Sequence, residues 1–279
     1  MTDRSIGGRR VSAIGLGGAN WSFRDGSDDD DVASIHAAID AGVRLIDTAR
    51  AYTKADHRGH SEALIARALA SHPLGSEVLV ATKGGHYRDG DTFPKDARRD
   101  AVRRHCEISL ELLGVDTIDL YQLHWPDPDV PIATAMETFA ELRSEGLIRE
   151  VGVSNVSIAQ LNEAREVVPV TTVQNSFSPF EQHDRPMVEY CEENDITYLS
   201  YSPLRGGAQG NELEETFPAA AAVAKQKNIS IQRLVLAWLL QLSPALIPIC
   251  GAGRPETIRD SLQAPNVHLT AEDLAVLDF

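Results

Sequence analysis

Cysteine is scarce in this chain. Cys106, Cys191 and Cys250 are the only three in 279 residues, and none of them forms a CxxC pair. An odd count without paired spacing excludes a disulfide framework and points to a reducing compartment, the cytoplasm. The opening stretch MTDRSIGGRR lacks the apolar core of a signal peptide. No uninterrupted apolar run approaches the roughly 20 residues of a membrane span. Positive charge is also short. Lys and Arg number 26 against 41 Asp and Glu, a net charge of -15, so neither nucleic acid nor an anionic membrane is an expected partner. A GxGxxG turn is missing as well. Gly15-Leu-Gly17-Gly18 is the nearest approach, which argues against an open, doubly wound dinucleotide-binding sheet.

What is present is an alternation that runs from end to end. Short apolar runs occur at Ala13–Gly17, Arg44–Asp47, Val78–Thr82, Ile118–His124, Val151–Ser154, Thr172–Asn175, Thr197–Ser200 and Leu246–Ile249. Amphipathic segments follow at Asp29–Ala41, Ser61–Ala70, Asp96–Leu113, Ile132–Glu145, Ser157–Val167, Pro186–Asn194, Ile231–Leu242 and Pro255–Ser261. Apolar residues there recur at helical spacing, as in Val32, Ile35 and Ile39. Ser61, Ser157 and Ser230 stand where helix caps are expected. Eight strand–helix units in one chain of this length predict a closed (β/α)8 barrel, of α/β class, as a single domain over residues 1–279. Ahead of it, Gly7-Gly8 between β-prone stretches predicts a hairpin that closes the bottom. The run Asp28–Asp31 reads as a solvated loop and helix N-terminus rather than a metal site, and no metal is expected.

In a barrel of this kind the chemistry sits at the C-terminal ends of the strands. Polar residues cluster there: Asp47, Lys83, His124, Ser154 and Asn155, Gln174 and Asn175, and Tyr201. Any one could simply cap the next helix; together they converge on one mouth. A buried lysine needs a counter-ion, which Asp47 can supply. An ammonium beside a phenol stabilises the phenolate, so Lys83 is expected to lower the pKa of Tyr52 from about 10. His124 can hydrogen-bond a carbonyl oxygen. Such a site donates a proton to a developing alkoxide but has no hydride of its own, so a cofactor is implied.

These residues resemble the aldo-keto reductases over essentially the whole chain. The resemblance is carried by IDTARAY (Ile46–Tyr52), VLVATK (Val78–Lys83), DLYQLHWPDP (Asp119–Pro128), VGVSN (Val151–Asn155), VQNSFSP (Val173–Pro179), YSPL (Tyr201–Leu204) and PICGAGRPETI (Pro248–Ile258). It implies a catalytic tetrad of Asp47, Tyr52, Lys83 and His124, with Tyr52 as general acid and hydride delivered from a nicotinamide to a small-molecule carbonyl substrate. It also implies that Ser154, Asn155 and Gln174 hold the carboxamide and that Tyr201 stacks on the nicotinamide. Ser202, Leu204 and Gly206 would line the pyrophosphate, and Gly251 and Arg254 the adenosine end. NADPH is the expected cofactor, with NADH open, because several of the family's phosphate-binding positions are altered here. Arg254 and Arg259 remain to bind a 2'-phosphate. Thr53 stands where many relatives carry glycine. Arg205-Gly206-Gly207 stands where many carry Gly-x-Gly, and Arg205 reads equally as a phosphate contact or a solvated residue. The short Arg205–Phe217 stretch, and an end at Phe279 just after an expected helix Ala271–Leu277, suggest an open substrate pocket walled by Trp21, Tyr87 and Trp125, although Trp21 and Trp125 could instead be packing residues.

His57 and His60 read as loop residues near the pocket rim, His86 as either substrate-facing or on the surface, and Cys250 as a buried small hydrophobe. Other readings stay open: an alcohol or sugar dehydrogenase using the same site in reverse, and a cofactor-sensing regulatory subunit with little turnover. A monomer is expected.

Overall fold

A computed structural model describes residues 3–54, 58–205, 212–251, 253–277 and 279. Eight parallel strands close into a barrel: β3 (Gly15–Gly17), β4 (Leu45–Asp47), β5 (Leu79–Gly84), β6 (Ile118–Leu123), β7 (Ile148–Ser154), β8 (Thr172–Ser176), β9 (Thr197–Tyr201) and β10 (Leu246–Gly251). Each pairs with the next in sequence, and β10 returns to pair with β3. The antiparallel hairpin of β1 (Asp3–Ile6) and β2 (Arg9–Ser12) precedes them.

The hairpin closes the barrel floor for a packing reason. Ile6 and Val11 join Leu45, Leu79, Ala81, Leu120, Leu199, Ile247 and Ile249 in one buried cluster inside the barrel. Its rim is tied to the starts of the strands. Thr197 donates to the Ser5 carbonyl, Arg4 to that of Leu246, and Arg9 pairs with Asp119. A second, larger cluster lies between the strands and the surrounding helices.

Because side chains alternate along a strand, the inward positions beyond this plug are set by counting in twos. Leu45 leads to Asp47, Ala81 to Lys83, Leu120 to Gln122 and His124, Leu199 to Tyr201, and Ile249 to Gly251. The apolar floor and the polar mouth are thus successive layers of the same strands.

The helices around the barrel are α2 (Asp28–Asp40), α3 (His60–Ala70), α4 (Arg99–Leu113), α5 (Ile132–Ser144), α6 (Ile158–Val167), α7 (Arg185–Glu193), α10 (Ile231–Leu242) and α11 (Pro255–Ser261). Those the alternation did not anticipate are α1 (Ala19–Phe23), α8 (Leu213–Thr216) and α9 (Pro218–Gln226). The Pro at the first turn of α9 and the alanine run after it are a good helix signal, hidden by the assumption of one helix per strand. The short helix α12 (Ala271–Val276) lies close to the expected position.

Ser157 forms a reciprocal capping box with Gln160, and Ser230 accepts from the Arg233 amide. Ser61 is not a cap. It lies inside α3, which starts after Gly59, and its hydroxyl donates to the Gly18 carbonyl while accepting from Thr48. The aspartates at 28–31 form the first turn of α2, capped by Ser27. Asp29 and Asp30 are solvent-exposed as expected, but Asp31 is buried against Arg24, and Asp28 accepts from His60 and Lys54.

Candidate active site

A cavity of about 880 Å³ opens at the C-terminal mouth of the barrel. Asp47, Tyr52 and His124 line one end, and Arg254, Thr257 and Ser261 the other. Lys83 lies beneath it, fully buried. Its Nζ donates to Asp47 Oδ2 at 2.6 Å and to the Thr48 carbonyl at 2.9 Å. An ammonium has three donors, and the third is left for the Tyr52 phenol, whose ring centroid is 5.1 Å away. Burial works against the Lys83 charge, but Asp47 and Tyr52 more than offset it, and the ammonium is held above its usual pKa.

Tyr52 is fixed by its backbone. Its carbonyl accepts from the Ser61 amide at 3.1 Å and the Ser22 hydroxyl at 2.9 Å. Burial of the hydroxyl raises its pKa; the Lys83 ammonium pulls it down without cancelling that effect, and Asp47 adds to the rise. The direction therefore differs from the sequence-based expectation. Lys83 acts in the expected sense, but desolvation is the larger influence. The His124 ring meets Tyr52 edge to face at 5.6 Å. Burial, then Lys83 and His86, hold its pKa well below 6.5, so the ring is neutral.

Asp47 is the hub of the polar floor. Besides Lys83 it accepts from Gln174 Nε2 at 2.8 Å and Gln122 Nε2 at 3.4 Å, and Gln122 in turn accepts from Thr172 at 3.1 Å. Since the Gln174 amide nitrogen is spent on Asp47, its Oε1 is the end left to the cavity. Ser154 donates to the Gln174 carbonyl at 2.6 Å, and Asn155 Nδ2 donates to the His124 carbonyl at 2.9 Å. Tyr201 donates to Asn155 Oδ1 at 2.8 Å. Asn155 and Ser202 both have positive φ, 60° and 52°, held there by these loops.

The remaining expected site residues divide. Ser202, Leu204, Gly251, Arg254 and Trp125 line the cavity. A side chain at position 251 would put its Cβ 2.6 Å from Asn20 Nδ2, so any larger residue there would have to displace the Asn20 side chain. Gly206 and His57 lie outside the described residues. Trp21 is not a wall: its ring is 1% exposed and packs in the core. Tyr87 lies outside the cavity lining, against the His105 ring at 5.2 Å. Asn175 faces away from the mouth, between Val156 and Asp184. Arg205 lies over Phe180, 5.2 Å from the ring. His60 is buried at the start of α3, between Ser22 and Asp28, rather than on the rim. Cys250 is buried, and its thiol is pushed up to about 12 by desolvation.

Sequence reasoning missed Asn20 and Gln122. Asn20 belongs to α1, which has no periodic signature. Gln122 could have been found, because an inward polar residue in an otherwise apolar strand needs a partner.

The Aldo/keto reductase family matches residues 13–278. The chain belongs to that family.

Among the proteins this aldo/keto reductase resembles is the NADH-specific methylglyoxal reductase of Escherichia coli, 30% identical over 96% of this chain and 94% of its relative. A glycerol dehydrogenase of Gluconobacter oxydans superposes with a TM-score of 0.84 at 29% identity, covering 99% of this chain and 94% of the other. An aldo/keto reductase of Klebsiella pneumoniae, in complex with NADP and acetate, superposes with a TM-score of 0.85 at 26% identity, with the same coverage. Among the described residues no helix is long and apolar enough to cross a membrane.

Proposed function

We propose that this aldo/keto reductase is an NADPH-dependent carbonyl reductase with Tyr52 as its general acid and Asp47, Lys83 and His124 as the rest of its catalytic group. The observation that carries this reading is the third donor of the buried Lys83 ammonium. Its other two are fixed on Asp47 and Thr48, and Tyr52 and His124 line the cavity directly above.

The residues fit a nicotinamide dinucleotide. A continuous cavity runs from the phenol to α11, with a bare backbone cradle at Gly17, Gly18 and Gly251 and a free amide oxygen on Gln174. When bound, the nicotinamide supplies the hydride. Ser154, Asn155 and Gln174 would hold its carboxamide, and Tyr201 would stack on its ring. Ser202 and Leu204 would line the pyrophosphate, joined by Gly206 if the resemblance holds at that position. Gly251 and Arg254 take the adenosine end. Arg254 lines that end and is exposed, and Arg259 is exposed on α11 outside the lining; a guanidinium at that end favours a 2'-phosphate over a hydroxyl. NADPH is therefore preferred, with NADH as the weaker partner.

The chain's own part in the reaction is to orient and to move one proton. Tyr52 passes its hydroxyl proton to the oxygen that becomes the alcohol, and Lys83 stabilises the phenolate left behind. Trp125 walls the substrate side. The same site in reverse oxidises an alcohol, as the name of the Gluconobacter relative says of that protein. The 279 residues act as one barrel domain and a monomer.

The test compares wild type with Tyr52→Phe on a panel of aldehydes and ketones, following NADPH and NADH consumption by absorbance and cofactor binding by fluorescence. Loss of about 10²–10⁴-fold in kcat, with cofactor still bound, is expected. A fully active variant would sink the role of Tyr52, and a wild type that binds cofactor and turns nothing over would sink the reading and favour a cofactor-sensing role.

A further inference from the structure

His86 lies on the hairpin loop after β5, bridged to Lys95 across it. Its Nε2 is 3.0 Å from the Phe93 carbonyl oxygen. A carbonyl can only accept, so this nitrogen carries a proton. Its Nδ1 is 3.4 Å from Nδ1 of His124, with the two rings nearly perpendicular at 82° and 4.8 Å apart. A neutral His86 has spent its one proton on Phe93, so its Nδ1 is a bare acceptor. Nδ1 of His124 must then be the donor. His124 is neutral and has only one proton to place, which leaves its Nε2 bare. A bare nitrogen repels a carbonyl oxygen and welcomes a hydroxyl. If His86 takes a second proton, Nδ1 becomes a donor, Nδ1 of His124 must accept, and the His124 proton moves to Nε2. That nitrogen can then donate to a carbonyl.

We propose that His86 is a positioning residue that decides which ring nitrogen of His124 carries the proton: doubly protonated His86 makes Nε2 of His124 a hydrogen-bond donor to a substrate carbonyl, and singly protonated His86 makes it an acceptor. The inference rests on the carbonyl-reductase reading of this cavity. No covalent step is involved; one proton enters at His86 Nδ1, and the His124 proton changes nitrogen through solvent.

The groups that face the pair give the sense of the pH dependence. Lys95 lies across the hairpin from His86, Arg88 over Phe93, His105 of α4 behind Gly85, Lys83 beneath His124, and the Tyr52 phenol beside it. Among the described residues no carboxylate acts on either ring. Burial, and then Lys95, outweigh the Phe93 hydrogen bond and place the His86 midpoint below 6.5. His105, pushed down to about 4 by its burial, is a separate event. Reduction is therefore favoured on the acid side of the His86 midpoint.

The decisive experiment is a long-range proton–nitrogen NMR titration of the full chain labelled with ¹⁵N-histidine, from about pH 8 to about pH 5, on either side of an ordinary histidine pKa. His124 is assigned from the peaks lost in His124→Asn. In wild type the His124 ring should change from the Nδ1–H to the Nε2–H form with a midpoint below 6.5. In His86→Phe that step should vanish. Reductive kcat/KM should rise about tenfold toward acid through the same midpoint in wild type, the factor one donated hydrogen bond supplies, and stay flat in His86→Phe. A His124 ring that keeps one tautomer while His86 titrates overturns the proposal, and this wild-type measurement does not depend on the variant folding. A tautomer step without carbonyl turnover upholds the proposal and removes the reductase reading, whereas turnover without the step does the reverse.

Discussion

Lys83 and Asp47 are each nearly inaccessible to solvent and 2.6 Å apart. Neither charge is tolerable alone at that depth. Lys83→Met leaves the Asp47 carboxylate with only Gln174 and Gln122, and a loss of about 3–5 kcal/mol is expected. Removing both charges with Asp47→Asn and Lys83→Met should restore much of that stability while leaving activity abolished. Urea unfolding of the two variants separates the structural from the chemical role. Tyr52 carries a second prediction at this scale. Its pKa is raised above 10.0 by burial, so the phenol keeps its proton throughout the neutral and mildly alkaline range. Reductive kcat/KM should show no limb from the phenol between about pH 7 and 10. A fall centred near 8 would mean that Lys83 outweighs desolvation after all.

Gly152 of β7 shows how one element serves the site from a distance. A Cβ there would meet Thr172 Oγ1 at 2.1 Å and Gln122 Cγ at 2.8 Å. These two side chains pass a hydrogen bond on to Asp47. Gly152→Ala must therefore push strand β8 away or break the chain of bonds, at a cost of about 1–3 kcal/mol. Its kcat should fall with it, since Asp47 loses a partner. Helix α6 has no such link. Ser157→Ala removes a capping box on the exposed end of that helix, and a loss of about 1 kcal/mol with unchanged kcat is expected from thermal unfolding and steady-state kinetics.

The whole barrel depends on its floor. Ile6 is 1% exposed and seals one end of the interior cluster, although it belongs to a hairpin outside the eight strands. Ile6→Ala should cost about 2–5 kcal/mol, because the barrel wall cannot collapse into the space. Scanning calorimetry reads this as a lowered Tm, with kcat unchanged at temperatures well below it. An unaltered Tm would mean that the hairpin is a cover rather than a plug.

The barrel itself was legible because its signal is repetitive: eight short apolar runs, each followed by a segment of helical period, allow few other closures. Asp47, Lys83 and His124 were legible at the mouth because inward positions follow from counting in twos along β4, β5 and β6; Tyr52, in the loop after β4, was reached through the resemblance carried by IDTARAY. Aromatic residues outside that count were harder to place. Trp21 and Tyr87 lie in loops and a short helix, where no period fixes direction, and both turn away from the cavity. Ser61 looked like a cap because its local sequence fits one, yet its hydroxyl is claimed by Gly18 and Thr48, residues distant in the chain. The sequence by itself determined the strand order, the polar mouth and the identity of the ionisable group beneath it, since these depend on local period and residue type. Tertiary structure alone decided the balance at Tyr52, where desolvation exceeds the pull of Lys83, and the meeting of His86 with His124. Both depend on how deeply a side chain is buried and on what crosses from another strand, quantities that no local pattern encodes.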